Sequence, residues 1–188
     1  SGVVLSLKRK GTLTLLALFF WVGGYAQHNS FELTPKQIDS LIKVTTVKKE
    51  HADRFAHLVI QDEDGRMKPI NTFASELLRK VSKADTFRGL DANQVFLSML
   101  LNRQLWYNVD FFYIKKDNDS LHKILGVEKG LKRVRALDFL DQEYNNKLNP
   151  YLVEAYSTSN PNQFQKEFKE VDMKMHLLER ALSGSMLR

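Results

Sequence analysis

An uncharged apolar run at residues 11–26, near the start of the chain, restricts the possible topology of this protein more than any other feature of its sequence. Lys8, Arg9 and Lys10 precede the run, and the first 30 residues contain no acidic side chain. A basic flank stays on the cytoplasmic side of a membrane, so the chain that follows such a run is translocated. The sequence therefore predicts that everything after Gln27 lies outside the cytoplasm.

The apolar run has two interpretations. It has the parts of a signal peptide, because a small-x-small cleavage motif occurs at residues 24–26. It also resembles a transmembrane helix, although its sixteen residues are fewer than the roughly 20 that usually span a bilayer. We favour a retained anchor at residues 12–25, because the chain begins with Ser1 and not with Met. Residues 1–30 are then a transmembrane or signal segment with a linker, and residues 31–188 are an extracytoplasmic domain.

Charge and cysteine content exclude several classes of protein. The net charge is +6, but +3 of it lies in the first 30 residues, and the remaining 25 basic and 22 acidic side chains are interspersed. Proteins that bind nucleic acids concentrate basic residues on one face, so we expect no nucleic-acid partner. The chain has no cysteine, which excludes disulfides, thiolate metal sites, thiol nucleophiles and covalent attachment of haem to this chain.

The hydrophobic periodicity after residue 30 predicts a mainly α-helical domain with a small β-hairpin. Thr34 has the position of an N-cap before a helix that starts at Pro35. Residues 58–62 and 66–70 flank an Asp-Gly turn and predict the hairpin. We expect Asn71 or Thr72 to cap the next helix, which runs to about Ser82. A later helix is predicted from the capping-box spacing of Asp91 and Gln94.

The second half of the chain predicts one strand and one long helix. Residues 109–114 are aromatic-rich and indicate a strand, whereas residues 129–135 indicate a basic loop. The long helix has Asn160 as its expected cap, Pro161 at its first position and Gly184 as its stop. Its apolar stripe consists of Phe164, Phe168, Val171, Met175, Leu178 and Leu182. The stripe predicts core packing, with a coiled-coil partner helix as the alternative.

No motif in the sequence indicates catalysis or a metal site. There is no H-E-x-x-H, G-x-S-x-G or phosphate-binding glycine loop. The five histidines include His51 and His57, whose spacing places them on different sides of a helix. We therefore predict no catalytic residue and no metal ligand in this chain. His51 and His28 are weak candidates for cofactor binding, because they lie nearest the membrane end.

Two cations stand out between the predicted turn and the following helix. Arg66 and Lys68 are held between a turn, Pro69 and a helix start. Such a setting presents fixed positive charge to a carboxylate, for example a haem propionate or an acidic loop of a partner. Arg66, Lys68, Asn71 and Thr72 are therefore the candidates for partner or anion binding. The alternative is a purely structural segment in which a hairpin leads into a capped helix.

Six blocks of the sequence carry a resemblance to a known family: residues 51–55, 59–62, 65–72, 75–80, 89–97 and 183–188. They occur in the same order as in that family and cover roughly residues 48–188. The blocks resemble the extracytoplasmic segment of fused system II cytochrome c biogenesis proteins, the CcsB/CcsA (ResB/ResC) type.

The resemblance implies a parent protein of the inner (cytoplasmic) membrane that delivers haem outward and attaches it to apocytochrome c. In that family the haem is handled by a tryptophan-rich WWD segment and by histidines in or beside membrane helices. This chain has only Trp21 and Trp106, and none of its histidines aligns with a family haem ligand. The expectation is a non-catalytic scaffold or docking domain that faces the periplasm. Its partners would be apocytochrome c and the membrane spans of the same protein. The rival interpretation is a stand-alone secreted helical binding protein.

Overall fold

The computed structural model describes residues 33–61 and 65–187, and residues from Thr34 onward form one compact unit. The predicted apolar segment of residues 1–30, with its membrane or signal role, lies outside the described residues, as does His28. Among the helices that the structure does describe, none combines the length and the apolar character needed to cross a bilayer.

The described part is mainly helical with a small hairpin, which confirms the predicted fold class. In the first half, helices α1 (Pro35–Thr45) and α2 (Lys49–Ala56) precede an antiparallel hairpin of strands β1 (Val59–Gln61) and β2 (Met67–Pro69). Helix α3 (Ile70–Leu77) follows and continues directly into a π-helical turn (Leu78–Ser82). Helices α4 (Ala92–Leu101) and α5 (Arg103–Tyr107) complete this half.

The second half contains a second small sheet and the longest helix. Strand β3 (Phe112–Tyr113) pairs antiparallel with β4 (Arg133–Val134), and α6 (Asp119–Leu125) lies between them in the sequence. A 3-10 turn (Ala136–Phe139) leads towards α7 (Asn149–Ser157) and α8 (Gln163–Ser183), and a last 3-10 turn spans Ser185–Leu187. Helix α8 contacts α3, its π turn, α4, α5 and α7, so it joins both halves of the domain.

Side-chain caps fix several helix starts where the sequence predicts them. The Thr34 hydroxyl accepts from the Gln37 backbone N–H, and the Thr34 N–H donates to the Gln37 side chain, which completes a capping box. Asp91 and Gln94 form the same reciprocal pair at the start of α4. Gly184 ends α8 with φ of +67°, a left-handed conformation that a Cβ atom disfavours. These predictions are confirmed.

The predicted caps of α3 and α8 are wrong. Helix α3 begins at Ile70, before Asn71 and Thr72, and no side chain caps it. Ile70 is fully buried and its N–H donates to the Leu58 carbonyl oxygen over 2.8 Å, so the hairpin itself satisfies this helix end. Helix α8 is capped by Asn162, which forms a capping box with Gln165. Asn160 and Pro161 therefore precede the cap.

The aromatic segment after α5 forms less strand than predicted. Only Phe112 and Tyr113 are extended, and they pair with Val134 and Arg133, inside the segment that was predicted to be a basic loop. The reason is burial on both sides of the segment. Phe111 packs edge-on against Phe87 and Trp106, whereas Phe112 packs against Phe139. Packing of these rings, and not a long ladder of hydrogen bonds, holds the segment in place.

A buried hydrogen bond fixes the position of the central aromatic cluster. The indole N–H of Trp106 donates to the hydroxyl of Ser98 over 2.9 Å, and both residues are almost fully buried. Ser82, at the end of the π turn, is also fully buried, but its hydroxyl has no hydrogen-bond partner within the described residues. The two serines have the same burial and differ in whether the hydroxyl is bonded.

This difference predicts opposite responses to alanine substitution. Ser98→Ala leaves the Trp106 N–H buried and unpaired, so the free energy of unfolding should fall by about 1–3 kcal/mol. Ser82→Ala removes an unpaired buried hydroxyl, so it should leave the free energy of unfolding unchanged or raise it by about 1 kcal/mol. Urea unfolding of both variants measures the two effects. Equal destabilisation by the two substitutions would contradict this account of the core.

Candidate functional site: a cationic groove

The described residues form a groove of about 740 Å³. One side is the hairpin, the second is α3 with its π turn, and the third is α8. The lining combines a few apolar side chains with many basic ones: Ile60, Arg66, Lys68, Phe73, Glu76, Lys80, Lys83, Glu170, Met173, Lys174, His176, Leu177 and Arg180. Its volume is within the range of about 300–1,000 Å³ that small-molecule sites have.

Three different elements supply the basic residues of the groove. The hairpin contributes Arg66 and Lys68, and α8 contributes Lys174 and Arg180. The π turn contributes Lys80, and Lys83 follows directly after that turn. Six Lys and Arg side chains therefore line the groove against two carboxylates among the described residues. Basic side chains therefore outnumber acidic ones among the described residues of the lining.

The π turn is the local feature that places two of these lysines. It inserts a wider turn between the regular part of α3 and the following loop, and it buries Leu78, Val81 and Ser82. Lys80 lies on the exposed side of the turn. Lys83 ends the turn with φ of +55°, a left-handed conformation that is uncommon for a residue other than glycine. Single π turns occur often at functional sites.

Ion pairs hold the two carboxylates against the walls of the groove. Lys68 donates to Glu76 with an Nζ–Oε2 distance of 2.9 Å, which ties β2 to α3. Glu170 pairs with Lys174 at 2.6 Å and lies 3.9 Å from Lys83. The hydrogen bond from Lys174 lowers the pKa of the Glu170 carboxyl below its usual value, and the charges of Lys83 and Lys115 act in the same direction. Burial opposes this shift.

Apolar side chains form the floor of the groove. Ile60 of β1 and Phe73 of α3 are nearly buried, with 6% and 5% of their surfaces exposed. Met173 and Leu177 of α8 also line the groove, and Met173 is 61% exposed. The lining of the groove therefore combines apolar side chains with cations.

The structure brings together only part of the predicted site. Arg66 and Lys68 line the groove, and both have further interactions within the protein. Asn71 and Thr72 are exposed at the start of α3 and outside the groove lining, where the Thr72 hydroxyl donates to the Asn71 side-chain oxygen over 3.2 Å. His51 is exposed on α2 and is also outside this lining.

The residues that α8 adds to the groove were not predicted from the sequence. Glu170, Met173, Lys174 and Leu177 are spaced three and four residues apart and share one face of the helix. This face adjoins the apolar core stripe, so its mixture of charged and apolar residues has the pattern of an ordinary helix boundary. The sequence feature that could have indicated the groove is the position of Met173 and Leu177 among lysines on that face.

The described histidines have separate environments. His122 is buried, and its two ring nitrogens lie 2.6 and 2.8 Å from the carbonyl oxygens of Asn118 and Leu131, so it serves the core. His176 is exposed at the groove edge, with Nε2 3.6 Å from the buried carboxylate of Asp172. Within residues 33–61 and 65–187, no three histidine or acidic side chains come together to hold a metal ion.

Asp172 belongs to a polar cluster that joins the last two helices. The Tyr156 hydroxyl of α7 donates to Asp172 of α8 over 2.8 Å. Burial, followed by this hydrogen bond, raises the pKa of Tyr156 to about 12. The cluster has no serine or threonine hydroxyl in its described hydrogen bonds that could act as a nucleophile. We assign it a structural role, because it links α7 to α8.

Comparison with known proteins adds one relative. No family model matches the chain. Over 143 residues the chain is 31% identical to Protein NrfI of Wolinella succinogenes, a match that covers 74% of this chain. The same match covers 15% of NrfI, so the chain spans only a small part of the length of that relative.

The pairing of Glu170 predicts a pH-dependent contribution to stability. Because its pKa is lowered in the folded protein, the Glu170 carboxylate stabilises the fold above the ordinary value of 4.5, and this contribution disappears as the pH falls through the folded-state pKa. Glu170→Gln should therefore be less stable than the wild-type protein at neutral pH, and the difference should shrink in acid. Urea unfolding across the acid range measures it.

Glu128→Gln is the matched control, since Glu128 is exposed in a loop. We expect its free energy of unfolding to follow that of the wild-type protein at every pH. A Glu170→Gln deficit that stays constant into acid would show that the carboxylate charge is not responsible.

Proposed function

We propose that this chain is an extracytoplasmic docking domain of a membrane protein that assembles c-type cytochromes. The observation that carries the proposal is the 31% identity with NrfI over 143 residues. This relationship supports a role in cytochrome c biogenesis and haem attachment in general. The ordered sequence blocks described above favour, in addition, the fused CcsB/CcsA type.

The topology part of the proposal comes from the charge distribution at the start of the chain. Lys8, Arg9 and Lys10 flank the apolar run of residues 11–26, and basic flanks remain on the cytoplasmic side. Residues 31–188 would then face the periplasm, with the apolar run in the inner membrane. This is the compartment in which haem and apocytochrome c meet.

The role of the domain follows from the chemistry that it offers. Six basic side chains among the described residues line the groove, which would suit an anionic group of a partner. We assign the domain to positioning apocytochrome c, or a reductant-linked partner, beside the haem exit of the parent protein. The joining of haem to the apocytochrome would belong to other segments of that protein.

Deletion of the complete gene in its own organism tests this proposal. Covalent haem attachment to c-type cytochromes should be lost, seen as the disappearance of haem-stained bands in denaturing gels. Haem bound without a covalent link in b-type cytochromes should remain, because its incorporation needs no attachment step. Restoring the wild-type gene is the control. Unchanged haem-stained bands in the deletion strain would contradict the proposal.

A further inference from the structure

Helix α1 is attached to the domain by two buried apolar side chains and one ion pair. Ile38 and Ile42 are buried, with 6% and 2% of their surfaces exposed, and the helix contacts α5. Within residues 33–61 and 65–187, a single side-chain hydrogen bond joins α1 itself to another element, and Arg88 donates it. Just beyond α1, the Gln94 side chain donates to the Val47 carbonyl oxygen over 3.1 Å and fixes the connection to α2.

Arg88 joins α1 to the segment that follows α5. One terminal nitrogen of its guanidinium donates to the Asp39 carboxylate of α1, and the other donates to the Asp110 carboxylate. The guanidinium also lies 5.3 Å from the centre of the Phe87 ring, within the range of a cation–π interaction. Arg133 lies over the same ring at 5.6 Å, but it donates to a backbone carbonyl oxygen. The two carboxylates would repel each other without the guanidinium that they share.

The backbone at Arg88 does not require an arginine. Phe87 and Leu90 exchange backbone hydrogen bonds of 3.0 and 2.9 Å around a two-residue turn. Arg88 and Gly89 have φ of +51° and +81°, as a type I′ turn requires, and Asn-Gly is the pair that this turn favours. The substitution Arg88→Asn therefore removes the guanidinium and keeps the turn.

We propose that α1 is a detachable arm of the domain and that Arg88 is the clamp that holds it closed. The hinge is the non-helical segment 46–48, between α1 and α2. An isolated helix of eleven residues is marginal in water, so α1 should unfold when it leaves the domain. Opening would expose Ile38 and Ile42. This conformational device goes beyond the proposed function and does not depend on it.

Hydrogen exchange of the full chain in neutral detergent measures the opening of the arm. The backbone amides of α1 should exchange faster than those of α3, because α1 opens without unfolding of the core. In Arg88→Asn the α1 amides should exchange about fivefold faster than in the wild-type protein, since the clamp is lost and two carboxylates are left to repel each other. The α3 amides report whether the variant is folded.

The variant Lys83→Asn is the matched control. Lys83 also has a left-handed backbone, and it forms an ion pair with Glu170 of α8 at 3.9 Å instead of with α1. Its loss should leave the exchange of the α1 amides at the wild-type rate.

The repulsion between the carboxylates gives two further readouts. Adding Asp110→Asn to Arg88→Asn removes this repulsion, so the α1 amides should exchange more slowly than in Arg88→Asn alone. Raising NaCl from about 0.1 M to about 1 M shortens the Debye length from about 10 Å to about 3 Å. Relative to α3, salt should therefore speed the exchange of α1 in the wild-type protein and slow it in Arg88→Asn.

Equal exchange of the α1 amides in the wild-type protein, Arg88→Asn and Lys83→Asn would overturn the proposal. Exchange of α1 at the slow rate of α3 in the wild-type protein would also overturn it, because the helix would then open only with the whole domain. If Arg88→Asn does not fold, the wild-type protein decides: faster exchange of α1 at high salt supports the clamp, and an unchanged rate contradicts it.

Discussion

The packing of α8 against the rest of the domain determines the shape of both the core and the groove. Phe168, Val171 and Leu178 are buried on one face of this helix. The adjoining face carries Met173 and Lys174, which line the groove. Burying a large apolar side chain stabilises a fold by about 1.5–3 kcal/mol, whereas an exposed ion pair contributes at most about 1 kcal/mol. Apolar packing therefore contributes more than the surface ion pairs to fixing the walls of the groove.

The π turn connects this packing to the chemistry of the groove. Its inner side buries Leu78, Val81 and Ser82, and it contacts both α8 and β3. Its outer side and its end present Lys80 and Lys83. The buried Ser82 hydroxyl without a partner in the described residues and the left-handed Lys83 are both unfavourable locally. The packing of the turn against α8 and β3 offsets these two local costs.

The sequence predicted those parts of the fold that depend on local interactions. Capping boxes at Thr34 and Asp91 join residues three apart, so the pattern contains the whole interaction. The start of α3 depends on the Leu58 carbonyl, which lies across the hairpin and leaves no local signal. The pairing of Phe112 with Val134 is likewise a long-range contact. For the same reason Arg66 and Lys68 were found as candidates, but their neighbours on α8 were not.

The account depends most on the side of the membrane to which the chain is directed. A fusion of alkaline phosphatase after Ser30 tests this directly, because that enzyme is active only outside the cytoplasm. The account predicts an active phosphatase fusion, together with an inactive β-galactosidase fusion at the same position. An inactive phosphatase with an active β-galactosidase would place the domain in the cytoplasm and would contradict its role at the site of haem attachment.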